Sequence, residues 1–159
     1  MTEWTLAPEA VDTDDAYALR RAYYGDVAGS YWKRAATEAE IDEGLAGDEA
    51  ERLVPPTGQF VVGRYGGEPA ACGGVLMLDA ERAELTRVFV RPAFRGRKGA
   101  GLLMDLLEHE ARALGAGRMV LNTRLDLVQA RPLYLRHGYA EIPAYCSGPY
   151  MEIWYGKDL

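Results

Sequence analysis

The sequence predicts a single α/β domain, residues 1–159, built on a mixed and mostly antiparallel central β-sheet with helices flanking it. Three observations carry this. Segments with apolar residues every three to four positions are interspersed with short apolar, strand-like runs. Two of those runs are joined by Gly66-Gly67-Glu68-Pro69, a hairpin signature. The chain has 159 residues, the size of one ordinary domain that buries a core without disulfide or metal staples.

Residues 4–7 read as a first strand, stopped by Pro8. Asp12 or Thr13 caps a helix expected to run to about Tyr24, with Ala16, Leu19 and Tyr23 on one side and Gly25 ending it. Thr37-Glu38-Ala39-Glu40 fits the capping box, in which hydroxyl and carboxylate each satisfy an orphan backbone donor; Ile41 and Leu45 follow on one face of a short acidic helix. Gly44, Gly47 and Pro55-Pro56 then mark a loop. Residues 59–65 and 71–78 are the two hairpin strands, and 81–90 is a third long strand that ends before Pro92. A helix over 101–114 carries Leu103, Leu107, Ala111 and Leu114 on one stripe, and Gly115 closes it. A strand over 118–123, a helix over 128–136 broken by Gly138, and strands over 139–142 and 151–155 complete the chain.

Composition narrows the function. No stretch approaches the roughly 18–20 apolar residues that a membrane helix needs. The first 15 residues carry five acidic side chains and no Lys or Arg, unlike a signal peptide, so a cytoplasmic protein is expected. Two cysteines, Cys72 and Cys146, and two separated histidines, His109 and His137, make neither a disulfide framework nor a metal site. The net charge of −6 argues against nucleic acid as a partner. That average hides a contrast: Arg87, Arg91, Arg95, Arg97 and Lys98 fall in one stretch without an acidic residue, leaving 13 basic against 24 acidic elsewhere. A small anion has one obvious place to bind.

That place runs from Val90-Arg91-Pro92 through Arg95-Gly96-Arg97-Lys98-Gly99-Ala100-Gly101, from a strand straight into a helix N-terminus. Unpaired N–H groups of a first helical turn and the positive end of its dipole hold phosphate, and glycines let the backbone approach closely. The spacing matches neither G-x-x-x-x-G-K-[ST] nor G-x-G-x-x-G, so ATP and dinucleotides lose support. It resembles the signature of the GNAT N-acetyltransferases, V-x-P followed by [QR]-x-x-G-x-[GA], with Arg95 in the first position, Lys98 where the family has glycine, and Ala100 in the last. A second motif, Ala130-Arg131-Pro132-Leu133-Tyr134-Leu135-Arg136-His137-Gly138-Tyr139, resembles the family's A-x-x-L-Y-x-x-x-G-[FY]. The likeness covers residues 59 to the C-terminus.

The resemblance implies a GNAT-like fold and an acetyl-CoA-dependent transfer of an acetyl group directly to a primary amine of a small molecule or peptide, in a ternary complex. It implies that Arg95, Gly96, Arg97, Lys98, Gly99, Ala100 and Gly101 hold the diphosphate and that the backbone of Val88, Phe89 and Val90 pairs with pantetheine, with Asn122 beside it. Tyr134 falls at the tyrosine that protonates the departing thiolate, and Glu84 at an acidic residue that often acts as base through water. Period two puts Glu84, Thr86, Val88 and Val90 on one face of the third long strand; the ordinary alternative for Glu84 is an ion pair with Arg82 or Arg87. The amine is expected among Tyr24, Asp26 and Tyr31, beside Tyr23 and Trp32. Homodimers are common in such families, though no interface is legible. A competing class is an acyl-CoA-binding regulatory module with weak turnover, which Lys98 in the glycine position keeps open.

Overall fold

The computed structural model describes residues 3–159. Along the chain run β1 (Trp4–Pro8), α1 (Asp14–Trp32), α2 (Glu38–Ala46), β2 (Gly58–Tyr65), β3 (Glu68–Met77), β4 (Arg82–Val90), α3 (Gly99–Ala113), β5 (Arg118–Thr123), α4 (Ala130–Arg136), β6 (Ala140–Glu141) and β7 (Ile153–Asp158). The strands form one seven-stranded sheet in the order β1-β2-β3-β4-β5-β7-β6, antiparallel except between β4 and β5. The expected fold class holds.

Local chemistry explains most elements. Gly66 and Gly67 both take positive φ, +58° and +89°, as a tight hairpin turn between β2 and β3 demands. Thr13 caps α1 by accepting from the Ala16 N–H at 3.1 Å, and the Thr37–Glu40 capping box closes in both directions. Pro132 occupies the third position of α4, where a missing N–H costs no intrahelical bond.

One boundary moves far. Gly25 does not end α1, which continues to Trp32 and stops at Lys33 in the left-handed conformation (φ +56°). The cost of one helical glycine, about 1 kcal/mol, is outweighed by tertiary packing: Ile41 of α2 lies over Gly25, and Tyr23 packs edge-on against Phe89. Smaller shifts separate the other expected ends from the observed ones. In particular, β3 starts at Glu68, α3 at Gly99 and α4 at Ala130, and the last two strands are Ala140–Glu141 and Ile153–Asp158.

The sheet is covered on both faces, which is why its central strands read as unbroken apolar runs. On one face Leu103, Met104, Leu107 and Ala111 of α3 pack against Val61, Ala71, Val75, Leu85, Met119 and Leu121. On the other, Ala16 and Leu19 of α1 pack against Phe60, Val62, Cys72 and Phe89.

A bulge interrupts β4. Cys72 pairs with Phe89 and Gly74 with Thr86, so Arg87 and Val88 together stand opposite Gly73. Arg87 takes φ +57°. Its guanidinium donates to Thr86 Oγ1 at 3.0 Å and to the Asp48 carbonyl, and its Nε lies 3.7 Å from the Asp48 carboxylate. Asp48 also accepts from Arg20 at 3.2 Å and from the Tyr24 hydroxyl at 3.3 Å. The extra residue reverses the side-chain alternation. Leu85 lies on the α3 face and Phe89 on the α1 face, so Glu84 and Thr86 face α1 while Val88 and Val90 pack toward α3. The expectation that all four share one face is therefore corrected. Near the bulge β4 also leaves β5, since only Arg82–Glu84 pair with Arg118–Val120.

The Asp48 carboxylate is 4% exposed between two guanidiniums that are each 10% exposed. Removing it strands two buried cations, so Asp48→Ala is expected to destabilise the fold by about 3–5 kcal/mol. Urea denaturation measures this; a loss under 1 kcal/mol would mean that the Arg87 bulge is held by other contacts.

Candidate active site

The divergence of β4 from β5 opens a cleft of about 910 Å³ that reaches from Glu84 and Asn122 to the N-terminus of α3. One long wall is the free edge of β4. Arg91 donates its N–H to the Ala70 carbonyl at 2.8 Å on the β3 side, so the alternating neighbours Val88 and Val90 turn their backbone groups toward the open edge. Phe89 lines the same wall.

At one end lies the glycine-rich loop. Gly96, Lys98, Gly99, Ala100 and Gly101 line the cleft, and among the described residues no side chain caps α3, so the amides of its first turn face it without helical partners. Lys98 supplies the αL residue that starts the helix (φ +66°), a conformation glycine adopts without penalty. Gly99 is a steric necessity, since an added Cβ would overlap the buried Trp4 ring. Arg95 lines the cleft, donating Nε to the Val90 carbonyl at 2.9 Å and leaving its far nitrogen 3.6 Å from Asp26. Arg97 is different. Its guanidinium lies over Tyr65 and Phe94, 4.7 and 5.7 Å from the ring centres, while its carbonyl accepts from Trp4 Nε1 at 2.8 Å. It faces away from the cleft and pins the loop to β1, a correction to its expected place among the diphosphate contacts.

In the middle lies Tyr134 of α4, 8% exposed against Tyr139 and Tyr155. Burial first, then the neighbouring Tyr23 and Tyr155, pushes its hydroxyl well above the usual tyrosine range, so it holds its proton at neutral pH. Among the described residues its hydroxyl makes no hydrogen bond, leaving a donor free at the cleft wall.

At the far end, Glu84 accepts from the Tyr145 hydroxyl at 2.7 Å and from the Asn122 amide at 3.4 Å. The expected arginine partners are occupied elsewhere: Arg82 bonds Asp79 at 2.8 Å, and Arg87 holds Asp48. Asn122 therefore sits with Glu84 on the α1 face rather than along the β4 edge. Tyr145 comes from the irregular segment between β6 and β7, where neither motif nor periodicity marks it, so sequence reasoning missed it. Met151 and Ser30, also missed, line the cleft.

The three expected acceptor residues separate. Asp26 lines the cleft with Tyr23 from α1. Tyr24 turns away to Asp48 and packs its ring over Gly44, and Tyr31 packs edge-on against Trp32 and Tyr150 with ring centres 4.9 and 5.0 Å apart; neither lines the cleft. These two are corrected, because at 3.6 residues per turn α1 carries Tyr24 and Tyr31 on one side and Asp26 on the opposite one. Among the described residues no group of three or more His, Cys, Asp or Glu is placed to hold a metal ion, and no helix is long and apolar enough to cross a membrane.

The fold has counterparts among solved structures. An acetyltransferase from Streptococcus agalactiae superimposes with a TM-score of 0.77 at 16% identity, covering all of both chains. A GNAT family acetyltransferase from Elizabethkingia anophelis, solved with acetyl-CoA bound, superimposes at 0.67 with 17% identity over 99% of each chain. In sequence, the chain is 32% identical over 104 residues to an IAA acetyltransferase of Azospirillum brasilense, a match spanning 64% of this chain and 66% of that relative. The sequence profile of the Acetyltransferase (GNAT) family matches residues 13–139, taking in the bulged strand, the glycine-rich loop and the Tyr134 helix. The chain belongs to the GNAT acetyltransferase family.

Proposed function

We propose that this protein is an acetyl-CoA-dependent N-acetyltransferase that passes the acetyl group directly to a primary amine of a small molecule or peptide, in a cytoplasmic setting. The observation that carries the proposal is the single cleft joining a helix N-terminus, a free strand edge, a protonated tyrosine and a carboxylate. The donor set fits the coenzyme: first-turn amides and Arg95 suit a diphosphate, and the β4 edge at Val88 and Val90, which no neighbouring strand pairs there, suits the amides of pantetheine once Arg95 leaves the Val90 carbonyl.

Glu84 takes a proton from the incoming ammonium, directly or through water, and frees the nitrogen lone pair. The amine nitrogen then bonds to the thioester carbonyl carbon, and the Val88 N–H stabilises charge that develops on the oxygen. The carbon–sulfur bond breaks, the Tyr134 hydroxyl gives its proton to the thiolate, and the surplus proton on the acylated nitrogen passes to the Tyr134 oxygen, directly or through water, leaving a neutral amide. Asp26, in the acceptor wall, attracts a cationic amine once its partner Arg95 turns to the diphosphate.

Calorimetric titration with acetyl-CoA tests the first half. Arg95→Ala is expected to weaken binding about tenfold, or ~1.4 kcal/mol; an unchanged dissociation constant contradicts the role given to the loop. Thiol release with a panel of arylalkylamines, polyamines, aminoglycosides and peptides with free N-termini tests the second half. Tyr134→Phe is expected to lower kcat about 10²–10⁴-fold with coenzyme binding retained.

An amine with a pKa of about 10.4 is unprotonated in only about one molecule in 10³ at pH 7. Glu84→Gln should therefore lose most activity near neutrality and regain part of it as pH rises; a loss independent of pH would remove Glu84 from the base role. Coenzyme binding without turnover of any amine would move the protein to the regulatory-module class.

A further inference from the structure

We propose that Tyr145 is a positioning residue for Glu84: with Asn122 it holds one carboxylate oxygen in place and leaves the other to take the amine's proton. The inference rests on Glu84 acting as base.

Both donors meet the same atom. Glu84 Oε2 accepts from the Tyr145 hydroxyl at 2.7 Å and from Asn122 Nδ2 at 3.4 Å, and Asn122 Nδ2 also lies 3.5 Å from the Tyr145 oxygen. The three groups come from β4, β5 and the segment between β6 and β7, so they are assembled only by the tertiary fold. Glu84 pairs with Val120, and Asn122 lies two residues further along β5 on the same face, at the point where the two strands have parted. A carboxylate at the mouth of a splay has room to rotate. Two donors on one oxygen remove that freedom, and the short contact is charge-assisted.

The polarity of the contact is set by its surroundings. Burial and the hydrogen bond to Glu84 push the Tyr145 phenol well above its usual range, so it keeps its proton and donates throughout the neutral range. Among the described residues the groups that hydrogen-bond Glu84 are the Asn122 amide from β5 and the Tyr145 phenol from the segment, with the Cys146 sulfur 3.9 Å from the Asn122 nitrogen. A guanidinium in that place would stabilise the anion more strongly and weaken it as a base; Arg82 and Arg87, the nearest in sequence, are bound to Asp79 and Asp48.

The segment that carries Tyr145 is itself anchored. Glu152 donates its N–H to Thr123 at 3.1 Å and accepts from the Leu125 N–H at 3.1 Å. Tyr150, at φ +70°, packs edge-on against Tyr31 at the end of α1. Tyr145 thus links the closing segment of the acceptor end to the base.

The test compares Tyr145→Phe, Glu84→Gln and the double variant, using acetyl-CoA and the fastest amine of the panel. Tyr145→Phe is expected to leave coenzyme affinity within twofold, lower kcat about tenfold and move the lower limb of the pH–rate profile upward by about half to one unit, because a carboxylate that loses a donor holds its proton more tightly. In the Glu84→Gln background the same change should add little. A ring-fluorinated tyrosine at position 145, a stronger donor of the same shape, should move the limb downward, and it serves as the probe if the phenylalanine variant folds poorly.

Wild-type kcat and limb in Tyr145→Phe, or a full further loss in the double variant, overturns the inference. Wild-type activity in Glu84→Gln instead overturns the base assignment. The contact itself is read separately from the ¹³Cζ signal of Tyr145, whose titration should fall toward the ordinary tyrosine range in Glu84→Gln.

Discussion

The bulge at Arg87 is the constraint on which the site depends. An unbroken β4 would keep Glu84, Thr86, Val88 and Val90 on one face. One extra residue opposite Gly73 instead sends the carboxylate toward α1 and the valines toward α3. The Glu84 side and the Tyr134 side of the cleft are therefore served by the same strand. The left-handed arginine at its centre is held by Asp48, which lies in the loop after α2, so the acidic helix-loop region secures the strand it packs over. Gly73 completes the arrangement, because an added Cβ would meet Leu107 of α3 at 2.7 Å.

The electrostatics follow the same division. The basic stretch of an otherwise acidic chain does not act as one patch. Arg87 is spent inside the fold on Asp48, Arg97 lies over aromatic rings at the loop's outer side, and Arg95 faces the cleft beside the first-turn amides. Arg95 is shared between the Val90 carbonyl and Asp26, so the residue proposed to hold a diphosphate also bridges β4 to α1. At the opposite end, among the described residues, Glu84 has only neutral donors. A cationic loop and an uncompensated carboxylate at the two ends of one cleft match a polyanionic coenzyme and an amine.

Much of the fold was legible in the chain because its signals are local. Gly66-Gly67 specifies a tight turn through positive φ, Thr37 and Glu40 cap each other across one turn, and the α3 stripe of Leu103, Leu107 and Ala111 has the period of a buried helix face. The glycine-rich loop and the Tyr134 motif were legible for the same reason, as contiguous residues in fixed order. Gly25 misled because its helical cost is small beside the packing of Tyr23 and Ile41, which come together only in the folded protein.

By itself the sequence determined the element order, the phosphate-type loop, the tyrosine and the presence of an acidic residue in the central strand. All of these are carried by spacing within a few residues. Tertiary structure alone decided which face each β4 side chain takes, since a bulge depends on the partner strand and not on strand composition. It also decided that Arg97, Tyr24 and Tyr31 turn from the cleft, and that Asn122 and Tyr145 converge on Glu84. Residues 84, 122 and 145 are distant along the chain, and contacts between residues so far apart leave no period or motif in the sequence to read.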